Sequence, residues 1–208
     1  MLKELLSTCD VLITSSRPAA LARLGLSWDE LHAAYPRLCQ VAIVGHSGDD
    51  ADLAGHDLTY QAHAGTLLPP AMPTVPVADL AGAELAVQAA LALLLGRNAG
   101  AGSAGQGVGS EGAESQAEDA TAAGGGGYHE VSLADAAEAF AMPAQFGLSA
   151  PGGLLGGALP GYRIYEAAPA GGAPTHVAFA ALEPHFMARA MQLLGVDGTE
   201  EQLSLIHI

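Results

Sequence analysis

The stretch AGHDLTY, residues 54–60, sets an imidazole, His56, beside a carboxylate, Asp57, directly after Gly55. Such groups are the usual equipment of general acid–base chemistry. Histidine changes charge near neutral pH, and a carboxyl joins it once burial raises its pKa. Two more acids stand where helical patterns begin: Asp79, before the run that starts at Leu80, and Glu183, at the head of EPHFMARAMQLLG. Each also has a plainer role. Asp57 and Asp79 read as helix N-caps, which contribute about 1 kcal/mol with no catalytic duty. Glu183 suits a helix start because the dipole favours an acid there. His56, one of eight histidines, reads alone as a hydrogen-bonded structural residue.

The elements that must position these groups are legible in outline. CDVLIT (Cys9–Thr14) and CQVAIVG (Cys39–Gly45) are short β-branched runs with turn residues at their ends, and they read as buried parallel strands. Between them, two helical pieces break at Gly25, and Ser27 followed by Glu30 makes a capping-box pattern. A strand, a helical connection and a parallel strand place the chain in the α/β class. Residues 80–97, LAGAELAVQAALALLLGR, are apolar on nearly every side, which predicts a helix in an interior or an oligomer interface, ended by Arg97.

Residues 98–127 turn to Gly, Ala, Ser, Gln and acids without periodicity, a composition expected to stay disordered. YHEVSLADAAEAFAM then reads as a strand and a helix. LPGYRIYEAA and PTHVAFAAL read as a hairpin, and EPHFMARAMQLLG as a helix with Pro184 in its first turn. The expected organisation is an α/β portion over 1–97, an insertion over 98–127, a linker and small α+β domain over 128–202, and a non-native tail over 203–208. That tail, LSLIHI, continues no pattern of the chain and resembles the peptide expected of a sequencing adapter translated in frame.

Composition narrows the functions. Twenty-two acids against seven bases leave a net charge of −15 over 208 residues, which argues against nucleic acid or an anionic membrane as partner. The longest apolar candidate for a membrane span, Leu85–Leu95, is too short to cross a bilayer. Cys9 and Cys39, each placed in an apolar run, make neither a disulfide framework nor a metal-ligand spacing. A reducing, cytoplasmic setting is expected, or a mitochondrial or peroxisomal one in a eukaryote, with no metal and no bound cofactor.

In order, CDVLITSSRPAALARLGLSWDELHAAYPRLCQVAIVG, AGHDLTYQAHAG, PVADLAGAELAVQAALALLLGR, HEVSLADAA, LPGYRIY and AALEPHF resemble the blocks of the family III CoA-transferases and alpha-methylacyl-CoA racemases, the CaiB/BaiF-like family. The resemblance implies an open parallel sheet with flanking helices plus a small α+β domain, in an interlocked homodimer acting on an acyl-CoA substrate. Coenzyme A would be part of that substrate. It also implies catalytic roles for His56, Asp79 and Glu183, and a place near the CoA moiety for Arg17.

In the racemase branch, one group takes the proton beside the thioester and another returns one on the opposite face. His56 and Asp79 would form that pair, Glu183 would orient the imidazole, and amides at the start of the helix after Asp79 would meet the enolate. In the transferase branch, the position of Asp79 is instead a nucleophile that carries the acyl group. The joint presence of His56 and Glu183 favours the racemase; an acyl-CoA binding module or an inactive fragment would keep the fold without the proton transfer. The chain departs from the pattern where HSGDDADLAGHD replaces the usual Gly-Pro after the second strand, and in a short segment between His56 and Asp79. The resemblance also begins beyond the element that holds the adenine end of CoA.

Overall fold

A computed structural model describes residues 2–102, 124–167 and 175–195. The chain forms two compact units, 1–140 and 141–208. The insertion's residues 103–123 and the tail 203–208 lie outside the described residues.

The first unit holds a three-stranded parallel sheet in the order β1 (Val11–Thr14), β2 (Cys39–Val44), β3 (Tyr128–Ser132). Among the described residues, five α-helices accompany it before β3: α1 (Leu2–Leu6), α2 (Pro18–Arg23), α3 (Trp28–Ala34), α4 (Asp57–Ala64) and α5 (Val77–Gly102). The expected β-α-β unit is present, and β3 extends the same sheet, so the large unit runs on through the start of α6 (Leu133–Gln145). Strand pairing therefore carries the boundary past residue 127.

Side-chain alternation sorts the central strand. Val41 and Ile43 pack with Val11 and Val131 against Leu85, Ala86, Ala89, Ala90 and Leu93 of α5. Ala42 and Val44 point to the other face, with Ala51 and Tyr128. Leu6, Leu31 and Leu38, with Leu12 and Leu26, close a second core. Each fully buried Leu or Val side chain contributes about 1.5–3 kcal/mol. The alanines of α5 let its backbone lie close to β2, and Gly82 leaves room for Leu133.

Several expectations change. Only β2 is buried along its length; β1 is an edge strand with Ile13 half exposed, and Cys9 lies before it, exposed, while Cys39 is buried. Helix α5 neither starts at Leu80 nor ends at Arg97 but takes in residues 98–102, and residues 124–127 lead into β3 with the Gly126 amide donating to the Pro36 carbonyl at 2.7 Å. Arg97 is buried inside the helix, where it donates to Asp10 Oδ1 at 2.7 Å and to the Arg37 carbonyl at 2.7 Å. A charged side chain that finds two close acceptors need not terminate a helix.

The span Val77–Ala99 is also long and apolar enough to cross a membrane by length and composition, with mean hydropathy 1.6, where the sequence reading found no such stretch. One side of this helix lies on the sheet, and Leu80, Val87, Leu91 and Leu95 are exposed on the rest.

The second unit contains the antiparallel hairpin β4 (Tyr162–Ala167) and β5 (Thr175–Ala180), then α7 (Pro184–Leu194), as the sequence predicted.

Candidate active site

Helix α4 begins abruptly after Gly55. A Cβ on Gly55 would overlap the ring of Tyr60, and one on Gly45 would meet the same hydroxyl, so two glycines leave the space in which Tyr60 is 3% exposed. His46 meets that ring edge-on, with centroids 5.5 Å apart. The chain enters α4 through His56, in extended backbone at φ −143 and ψ 160. Thr59 Oγ1 accepts from the His56 amide at 3.1 Å and donates to the His56 carbonyl at 2.7 Å. The imidazole takes no part in the cap and stands exposed.

His56 thus occupies the N-cap position expected of Asp57. Asp57 is the first residue of α4, and its carboxylate reaches a different helix. Asp57 Oδ1 accepts from the amides of Ala78 and Asp79, at 2.8 and 3.2 Å, in the first turn of α5. Oδ2 accepts from Gln61 Nε2 at 2.6 Å, and the same amide donates to the Val75 carbonyl at 2.9 Å. Gln61 is 2% exposed, so the donor of both bonds is shielded from water while the acceptors are only partly buried. Asp79 is therefore not the cap of α5; Asp57 caps it from α4.

This arrangement overturns the expectation that amides at the start of α5 are open to an enolate. The Val77 amide donates to the Val75 carbonyl, those of Ala78 and Asp79 to Asp57, and that of Leu80 to the Pro76 carbonyl. The orphan donors of a helix start are all used within the protein.

His56, Asp57, Leu58 and Asp79 line one open cleft of about 390 Å3, walled by Met72, Pro73, Thr74, Val75 and Pro76. That volume suits a small group rather than a whole nucleotide. Burial, and then the charge of Asp57, raise the Asp79 carboxyl above its ordinary range, while His56 opposes them. Burial raises the Tyr60 phenol too, with Asp79 adding to the effect and Arg17 opposing it. His56, Asp57, Tyr60, Asp79 and Arg17 therefore form one electrostatic neighbourhood.

Arg17 sits exposed at the N-cap of α2, and Asp52 fixes that helix start by accepting from the Ala19 amide at 3.0 Å. The acidic loop before α4 thus has a structural task. Ser47 Oγ donates to Asp135 at 3.1 Å, and the Gly48 amide donates to Glu130 at 3.1 Å.

The structure brings together His56 and Asp79, with Arg17 linked to them through Tyr60. Glu183 belongs to the second unit, exposed at the N-cap of α7 with no side-chain cap bond. The groove of that unit, beside Tyr162, Arg163, Ile164 and Phe179, is lined by no acid or histidine. Among the described residues, no group of three His, Cys, Asp or Glu could hold a metal ion. Sequence reasoning missed Asp57, Gln61 and Tyr60 as site builders, although the glycine spacing around AGHDLTY already marked a close backbone approach.

The profile of CoA-transferase family III matches residues 1–206 of this chain. A curated relative, the cinnamoyl-CoA:phenyllactate CoA-transferase of Clostridium sporogenes, is 39% identical over 61 residues, which make up 28% of this chain and 15% of that protein. Among solved structures, a hypothetical protein of Mycobacterium tuberculosis, Rv3272, superposes with a TM-score of 0.66 at 20% identity over 93% of this chain and 48% of that one. A CAIB/BAIF family protein from Brucella suis gives a TM-score of 0.65 at 20% identity over 94% of this chain and 48% of that one. These likenesses show a shared fold, and the chain spans about half the length of the solved structures it matches.

Proposed function

The chain belongs to CoA-transferase family III, and on that premise we propose that it handles acyl-CoA thioesters and racemises 2-methylacyl-CoA by moving a proton between the two faces of the carbon beside the thioester. The observation that carries this reading is the common cleft of His56 and Asp79. Two acid–base groups at one site are what a transfer between faces requires, whereas acyl transfer requires one nucleophile.

In one direction the neutral His56 imidazole takes the α proton, the C–H electron pair passes to the thioester oxygen, and Asp79, protonated, returns a proton to the other face. In the reverse direction the roles exchange. The raised Asp79 carboxyl suits both, because it holds a proton nearer to neutral pH than an ordinary carboxyl does. The imidazolium formed at His56 offers a positive charge beside the enolate. Arg17, on the rim of the same neighbourhood, has the charge to meet a CoA phosphate. Glu183 enters as partner of the imidazole through the resemblance alone.

A second reading is favoured by the curated relative, whose name is that of a CoA-transferase. Asp79 would then attack the thioester carbonyl, expel CoA thiolate and carry the acyl group as a mixed anhydride.

Incubation of the intact protein with 2-methylacyl-CoA in deuterium oxide separates the two. Deuterium at the α carbon with no acyl hydroxamate on adding hydroxylamine supports racemisation. A hydroxamate whose formation requires Asp79, without α exchange, would replace it with transfer.

A further inference from the structure

We infer that Asp57 is a positioning residue for the proton-transfer pair, its carboxylate tying the helix start that carries His56 to the helix start that carries Asp79. The inference rests on the racemase reading for what the pair does, but its geometry is independent of it. Asp57 follows His56 directly in the chain, and through Oδ1 it receives the amides of Ala78 and Asp79 at 2.8 and 3.2 Å. One carboxylate therefore links the backbone of one candidate acid–base group to that of the other, over a separation of 22 residues in sequence.

The carboxylate is itself held. Gln61 Nε2 donates to its Oδ2 at 2.6 Å and anchors at the same time on the Val75 carbonyl at 2.9 Å, in the segment that walls the cleft. Thr66 Oγ1 holds the other end of Gln61, its one proton shared between Oε1 at 3.3 Å and the Gln61 carbonyl at 3.2 Å. The second bond from Gln61 would be pointless for a simple cap of α4, which Thr59 already provides. Asp57 instead completes α5, which lacks a capping side chain of its own: Pro76 precedes it, and proline offers none.

The position also bears on charge. Asp57 lines the cleft beside Asp79, and its negative charge makes a proton on Asp79 harder to lose, against the opposing effect of His56. The other groups in this neighbourhood are Tyr60, on α4, and Arg17, at the start of α2. A residue that only supported the fold would set the amount of active protein. Asp57 additionally sets the pH at which Asp79 changes state.

The test compares wild type with Asp57→Asn and Asp57→Ala, reading α-deuterium exchange against pH and, by NMR, the Ala78 and Asp79 amides and the Asp79 carboxyl. Asp57→Asn keeps an oxygen for the two amides and removes the charge. The expected result is a lower midpoint for Asp79 and exchange that starts at lower pH when Asp79 is the base. Asp57→Ala releases both amides, and exchange falls about 100-fold, the scale of a misplacement of about 1 Å. Should Asp57→Ala not fold, Asp57→Asn decides alone.

Exchange within about twofold of wild type in both variants, or an unmoved Asp79 midpoint in Asp57→Asn, overturns the inference. Absence of exchange in wild type would instead sink the racemase reading. The tie would then be judged by the Ala78 and Asp79 amides in Asp57→Ala and by the Asp79 midpoint in Asp57→Asn, upheld if both respond and overturned if either stays unmoved.

Discussion

Gln61 Nε2 donates to Asp57 Oδ2 at 2.6 Å from a side chain that is 2% exposed, and so a buried amide supports the carboxylate that joins α4 to α5. Replacing it by Leu keeps the volume but leaves the Val75 carbonyl and one Asp57 oxygen without a donor. An acceptor left unsatisfied in the interior costs about 1–3 kcal/mol, and these two, being part-buried, fall at the lower end. The Gln61→Leu variant should lose stability in that range by urea denaturation, with an unchanged m-value.

Gly55 and Tyr60 make a similar case for packing. A methyl group at residue 55 would overlap the buried ring of Tyr60. Gly55→Ala should therefore destabilise by about 1–3 kcal/mol, the usual scale of overpacking. It should also perturb the entry into α4, so the midpoint of thermal unfolding and the exchange rate should fall together.

Substitutions of the proposed catalytic groups should do the opposite, sparing the fold and removing the reaction. His56 and Glu183 are exposed and neither side chain caps its helix. His56→Ala and Asp79→Asn should each lower α-proton exchange by about 10²–10⁴-fold, the range of general acid–base catalysis. Glu183→Gln should lower it as well, with circular dichroism unchanged. An unaltered rate in Glu183→Gln would remove that residue from the mechanism.

Asp79 should also reveal itself in the pH dependence of stability. Its folded-state pKa lies above the ordinary value of 3.8, so in the window above 3.8 the folded chain holds this proton more tightly than the unfolded chain does. Ionising it therefore costs stability as pH rises through the window, and the full cost persists above the raised value. Asp79→Asn removes that cost. The variant should melt slightly above wild type at pH 7, and the difference should shrink as pH falls toward 3.8.

Arg97 lies about 27 Å along α5 from Asp79, by the rise of the helix. Its side chain is 7% exposed and that of Asp10 is 72% exposed, so the ion pair itself is screened and worth little. The buried bond to the Arg37 carbonyl carries more weight. Arg97→Met should cost about 1–3 kcal/mol in urea denaturation and Asp10→Asn less than about 1 kcal/mol. Neither should alter the pH profile of exchange.

The amino-acid sequence by itself determined the α/β class, the β1-to-β2 unit, the Ser27–Glu30 capping box, the β4–β5 hairpin and α7. These depend on local signals: β-branched runs, a cap motif, turn residues. Ordered blocks along the chain also pointed to the family. Only the tertiary structure decided what Asp57 does. A carboxylate one residue into a helix looks like a cap for that helix, and nothing local shows that the free amides it meets belong to a helix beginning 20 residues later, at Val77. The same holds for Arg97, whose acceptors, Asp10 and Arg37, lie in the turns that lead into β1 and β2. Hydrogen-bond partners distant in sequence are set by how the elements pack. The sequence could therefore name His56 and Asp79, but the residue that joins them became visible only in three dimensions.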